Sequence, residues 1–290
     1  MALEYYLRPY YFHSFAVVAA FLIAALFQTA GSTAASLEAY GTYVELGEGI
    51  QIVYQIPMNI TSVVGVLLVA HGCSHSATDW WKMSDKCQKC IGLPVEGSIV
   101  KMAVQSGMAV IALSSNNRGN KCWIYEHDRM RAIKAIRYMY DKISTLTEEN
   151  RVPLYLLGVS SGGSFVGTFA QDAKFTGLLI SAICVQVMSV KIHRLEDSMV
   201  PTIFVHMPSD TRTAKMVSKV VAQMNEKTPN SAMEMRCERK QITSTYFFDH
   251  GVALSAEDSA TLVQALNAAG YLSITNTLID DPRKSLWREV

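Results

Sequence analysis

The sequence predicts an α/β fold: one domain built on a mostly parallel, eight-stranded sheet with helices on both faces and no large cap domain. Three observations lead there. From residue 44 onward short apolar runs alternate with amphipathic segments. The central runs are apolar on both faces, as the strands of a buried parallel sheet are. No internal repeat, low-complexity tract or Pro/Gly/Ser-rich linker divides the chain.

In chain order, residues 1–34 read as a signal peptide or membrane anchor. An uninterrupted apolar stretch at 15–27 precedes the small-residue run Thr29-Ala30-Gly31-Ser32-Thr33-Ala34-Ala35. The stretch is shorter than the roughly 20 residues that span a bilayer, and Ser32 and Ala34 suit cleavage after Ala34. Tyr10, Tyr11 and Phe12 extend the apolar character upstream, so membrane attachment through an uncleaved anchor is the alternative. Either way residues 35–290 form the folded domain and reach the secretory lumen or the exterior.

Strands are predicted at 43–46, 50–56, 63–70, 108–113, 154–158, 178–185, 202–206 and 242–248. A helix at 126–144 carries Met130, Ile133, Tyr140 and Ile143 on one stripe, with Arg129, Lys134, Arg137 and Lys142 outside it. A second, at 213–225, repeats Met216, Val217, Val220, Val221 and Met224, the spacing of a helix packed on a sheet. The last helix is bracketed by the capping-box pattern Ser255-Ala256-Glu257-Asp258 and by Gly270 with the apolar Tyr271 and Leu272.

A formal net charge of +1 and the absence of a long basic run leave no reason to expect a nucleic-acid partner. All six cysteines follow the leader, and an even number in an exported chain suits disulfide pairing. Cys87-Gln88-Lys89-Cys90 reads as a disulfide loop, because no second close pair completes a metal site. Cys184 lies inside an apolar run and reads as a core residue. Asn59-Ile60-Thr61 is a glycosylation sequon.

Two motifs carry chemistry. Leu154-Tyr155-Leu156-Leu157-Gly158-Val159-Ser160-Ser161-Gly162-Gly163 is an apolar strand that ends in G-x-S-x-G and leads into a helix, the context of a nucleophile elbow. Gly158 and Gly162 supply the room that so tight a turn needs. Val66-Leu67-Leu68-Val69-Ala70-His71-Gly72-Cys73-Ser74 is a buried strand that ends at His-Gly.

Together these motifs resemble the α/β-hydrolase superfamily over nearly the whole chain after the leader. The loop His71-Gly72-Cys73-Ser74-His75-Ser76 with Asp79-Trp80 is also similar to the polyhydroxybutyrate-depolymerase and feruloyl-esterase group. Cys90-Ile91-Gly92-Leu93-Pro94 and the tail Asp281-Pro282-Arg283 resemble plant-type α/β-hydrolase-like proteins of unassigned function. The superfamily resemblance implies Ser160 as nucleophile and an oxyanion hole from the backbone N–H groups of Cys73 and Ser161, with His71 shaping the loop. It also implies the chain order serine, acid, histidine. Asp210, just after a late apolar strand, is the expected acid; Glu196 and Asp197 precede that strand, and an N-cap role is the competing reading of Asp210. His250 is the only histidine after Asp210 and the expected base. His206 reads as a packed strand residue.

A triad of this kind needs no metal or organic cofactor, and no phosphate loop or dinucleotide fingerprint is present. Only residues 189–201 fill the interval where a lid would be inserted, so an open site and a small-molecule or polymer-borne ester are expected. Trp80, Trp81 and Trp123 are candidates to line an apolar acyl site, with simple packing as the alternative. The expected activity is therefore a carboxylic ester hydrolase. The alternatives are a non-catalytic ligand- or partner-binding protein on the same fold, and a peptidase or thioesterase using the same triad.

Overall fold

The computed structural model describes residues 40–58, 63–144, 152–172, 177–190, 200–250, 254–280 and 286. The leader, the 59–61 sequon, the rival acids Glu196 and Asp197, and the 281–283 tail lie outside them. The chain divides into two compact units, Met1–Arg236 and Cys237–Val290.

The first unit holds the sheet. Its strands are β1 (Thr42–Leu46), β2 (Ile50–Gln55), β3 (Gly65–Ala70), β4 (Met108–Leu113), β5 (Leu154–Val159), β6 (Ile180–Gln186), β7 (Thr202–His206) and β8 (Ala232–Arg236), in the spatial order β1-β2-β4-β3-β5-β6-β7-β8. β1 and β2 form an antiparallel hairpin and β2 runs antiparallel to β4; every later pairing is parallel. β3 and β4 are buried along their whole length, which is why Gly-Val-Leu-Leu-Val-Ala and Met-Ala-Val-Ile-Ala-Leu carry no polar residue.

The main helices of this unit are α1 (Pro94–Gln105), α2 (Tyr125–Ser144), α3 (Ser161–Gln171) and α4 (Thr211–Lys227). The buried stripe of α2 runs through Ile133, Ile136, Met139 and Ile143, and α3 contributes Phe165, Val166 and Phe169 to the same core. Met130 and Met216, expected inside, are exposed: each sits one position round from the stripe that reaches the sheet.

Seven of the expected strands form, with ends shifted by at most two residues. The eighth does not. Residues 242–248 turn at Thr243 and enter a short helix, α5 (Tyr246–Asp249), stapled by Thr245 Oγ1 donating to the Asp249 carboxylate at 2.7 Å. The eighth strand is instead Ala-Met-Glu-Met-Arg at the sheet edge, where Glu234 accepts from buried His206 across the β7–β8 pairing at 2.8 Å. Burial raises the carboxyl pKa of Glu234, but hydrogen bonds from Arg236, His206 and Ser218 outweigh it and hold the pKa below the ordinary value.

The second unit is small: α5, α6 (Ala256–Ala268) and an apolar cluster of Ile242, Val263, Leu266 and Leu272. Ser255 and Asp258 close a reciprocal capping box on α6, and Gly270, at φ 77°, ends it. Two disulfides form, Cys73–Cys122 and Cys87–Cys90, and Cys184 is buried in β6. Among the described residues no helix is long and apolar enough to cross a membrane.

Candidate active site

Ser160 stands between β5 and α3 with φ 53° and ψ −117°, a left-handed backbone that side-chain-bearing residues adopt at a cost of order 1–3 kcal/mol. The turn is held by the Ser160 N–H donating to Gln186 O at 2.9 Å and by the Ser164 N–H donating to Ser160 O at 3.1 Å. Close approach explains both flanking glycines. A Cβ on Gly158 would lie 2.2 Å from Gly162 O, and one on Gly162 would lie 2.3 Å from Ala70 O and 2.5 Å from His71 O. The start of α3 thus sits directly on the exit of β3, with the positive end of an 11-residue helix beneath the serine.

The exit of β3 is pinned from several sides. His71 is buried; its Nδ1–H donates to Gly72 O at 2.6 Å, and its Nε2 accepts from the Ser115 N–H at 3.0 Å. That bonding is the neutral imidazole, and burial pushes its pKa down to about 4. Trp123 donates its indole N–H to His71 O at 2.7 Å and stacks on Phe165 of α3. The Ser74 N–H donates to Asn120 O, and the Cys73–Cys122 disulfide ties the same loops covalently. Asp128, fully buried, anchors the far side by accepting from the N–H groups of Asn116 and Ile124 at 2.6 and 2.9 Å. Among the described residues neither the Cys73 N–H nor the Ser161 N–H donates to a protein acceptor.

The other expected triad members sit in local hydrogen bonds. Asp210 is the N-cap of α4, accepting from Thr213 N at 3.1 Å and Thr213 Oγ1 at 2.9 Å. His250 belongs to the second unit, exposed at the end of α5, where its Nδ1 bonds Tyr246 O at 2.7 Å and its ring stacks on the Tyr246 ring at 4.1 Å. Among the described residues no group of three His, Cys, Asp or Glu side chains is placed to hold a metal ion.

No family model matches this sequence, and no curated protein aligns with it. Solved structures do match. Carboxyl esterase 2 of the mycorrhizal fungus Tuber melanosporum superposes with a TM-score of 0.50 at 12% identity, over 82% of this chain and 87% of that one. An esterase of Pyrobaculum calidifontis gives 0.50 at 10% identity, over 93% and 94%. MGS-M1, an alpha/beta hydrolase enzyme from a Medee basin deep-sea metagenome library, gives 0.50 at 11%, over 81% and 97%. This chain has the α/β-hydrolase fold.

At such identities the likeness speaks for the fold alone, so chemistry has to come from the residues in place. In this α/β-hydrolase fold Trp80, at the end of the short 3₁₀ helix Ala77–Trp80, and Trp81 after it are interior, each 1% exposed, and Trp81 donates to Gln55 Oε1 at 2.9 Å. Trp123 packs between His71 and Phe165.

A feature beyond the sequence reading is the pairing of His75 with Asp79. His75 Nδ1 lies 2.8 Å from Asp79 Oδ2, and the Asp79 carboxylate also accepts from Ser76 N, Ser76 Oγ and Thr78 Oγ1. The available signal was the Ser-x-x-Asp capping pattern of Ser76 and Asp79, with a histidine four residues before the acid.

Proposed function

We propose that this chain is a serine hydrolase that cleaves carboxylic esters through an acyl-enzyme on Ser160. The left-handed backbone of Ser160 at a strand-to-helix turn supports the reading: it is the strained turn of a nucleophile elbow, adopted at a conformational cost. In this reaction Oγ attacks the ester carbonyl while a base takes its proton. The N–H groups of Cys73 and Ser161 hold the developing oxyanion, the alcohol leaves, and water releases the acid. Chain order nominates His250 as base with Asp210 as its orienting acid. The short 189–201 interval favours an accessible ester, on a small molecule or a polymer. The two disulfides suit work in an oxidising compartment such as the secretory pathway.

The test is fluorophosphonate labelling of the folded protein, followed by hydrolysis of short-chain and aromatic esters. Wild type is labelled and Ser160→Ala is not, with esterase turnover falling about 10⁴-fold or more. A folded wild type that stays unlabelled overturns the reading in favour of a binding protein.

A further inference from the structure

Ser160 needs a neighbour that takes its proton. We propose that this neighbour is His75, oriented by Asp79, on the loop after β3; the assignment rests on Ser160 being the nucleophile. Gly72 supplies the distance gauge. A methyl built on Gly72 would lie 3.6 Å from Ser160 Cβ and 3.8 Å from His75 Cδ2, so the serine side chain and the edge of the imidazole that carries Nε2 border the same space at Gly72. Ser74, at φ 68°, reverses the chain between them, and the His75 N–H returns to Gly72 O at 3.3 Å.

The pair is built as a proton-handling dyad requires. The Asp79 side chain is 8% exposed, and its four donors hold it in one orientation. Its bond to Nδ1 selects the tautomer with the proton on Nδ1, which leaves a lone pair on Nε2. The His75 side chain is 45% exposed, and among the described residues Nε2 has no hydrogen-bond partner. An oriented imidazole with a free Nε2, once a serine hydroxyl comes within hydrogen-bond reach, activates that hydroxyl; where the histidine falls in the chain is immaterial to the chemistry.

In the acylation step His75 Nε2 takes the proton from Ser160 Oγ as Oγ bonds the carbonyl carbon and the carbonyl π pair moves to oxygen. As the oxyanion collapses, the C–O bond to the alcohol breaks and the imidazolium returns its proton to the departing oxygen. Water repeats the sequence on the acyl-enzyme, losing its proton to Nε2 as it attacks, and the imidazolium then protonates Ser160 Oγ as it leaves. Asp79 stays ionised throughout.

The experiment uses His75→Ala, at a half-exposed position and with its fold checked by circular dichroism, alongside wild type, Ser160→Ala and His250→Ala. The expected result is a 10²- to 10⁴-fold loss of fluorophosphonate labelling rate and of kcat in His75→Ala, about the range a general base supplies. Added imidazole restores part of the kcat lost in His75→Ala and none of that lost in Ser160→Ala. His75→Ala labelled at the wild-type rate overturns the assignment. So does loss of labelling confined to His250→Ala, which returns the base to the chain-order candidate and leaves the serine-hydrolase reading standing. A wild type without labelling overturns that reading itself.

Discussion

The loop after β3 and the C-terminal segments each offer a histidine and an acid, but they hold them differently. Asp79 is buried under four donors, one of them the imidazole of His75. Asp210 caps α4 with the backbone and hydroxyl of one threonine, and the exposed His250 bonds the backbone of its own short helix. The difference teaches where this fold invests its rigidity. Around the elbow, backbone meets backbone at distances that leave no room for a methyl, whereas the second unit is a small cluster whose turn at Gly270 has open space around it.

The largest expected effect tests that contrast directly. Gly162→Ala forces a Cβ against the Ala70 and His71 carbonyl oxygens and costs about 4 kcal/mol or more, while Gly270→Ala meets only its positive φ and costs about 1 kcal/mol. Urea unfolding followed at several wavelengths measures both, and equal costs would erase the contrast.

A smaller effect comes from His71. The folded protein takes up its proton only near pH 4, whereas the unfolded chain does so near 6.5. The contribution is therefore complete above about pH 6.5 and is lost as pH falls toward 4, an effect on the order of 3 kcal/mol. Stability measured across this window should fall more steeply in wild type than in His71→Gln.

The smallest is Asp210→Ala, which removes the α4 cap and costs about 1 kcal/mol, read as a drop in Tm. Loss of stability well beyond that would mean that Asp210 does more than cap.

Much of this was legible in the sequence. β3, β4 and β5 are apolar on both sides because the sheet buries both sides, and G-x-S-x-G followed an obvious strand. β8 was hidden because an edge strand of Ala-Met-Glu-Met-Arg is half polar, and its glutamate serves His206 and Arg236 rather than a core. Residues 242–248 misled for the converse reason: Tyr246 and Phe247 look like strand residues but are apolar because they pack in the second unit's own cluster. The His75–Asp79 pair was invisible as a pair, since a four-residue spacing suggests a helix, and here the backbone makes a turn and one short 3₁₀ helix.

Ser160 also sets a local cost within the fold. Glycine takes its backbone angles with no steric penalty, and serine does not. Ser160→Gly should therefore relieve the backbone cost while removing the whole CH2OH side chain, so a gain in stability accompanied by loss of fluorophosphonate labelling would separate the folding cost of this turn from the use of its hydroxyl.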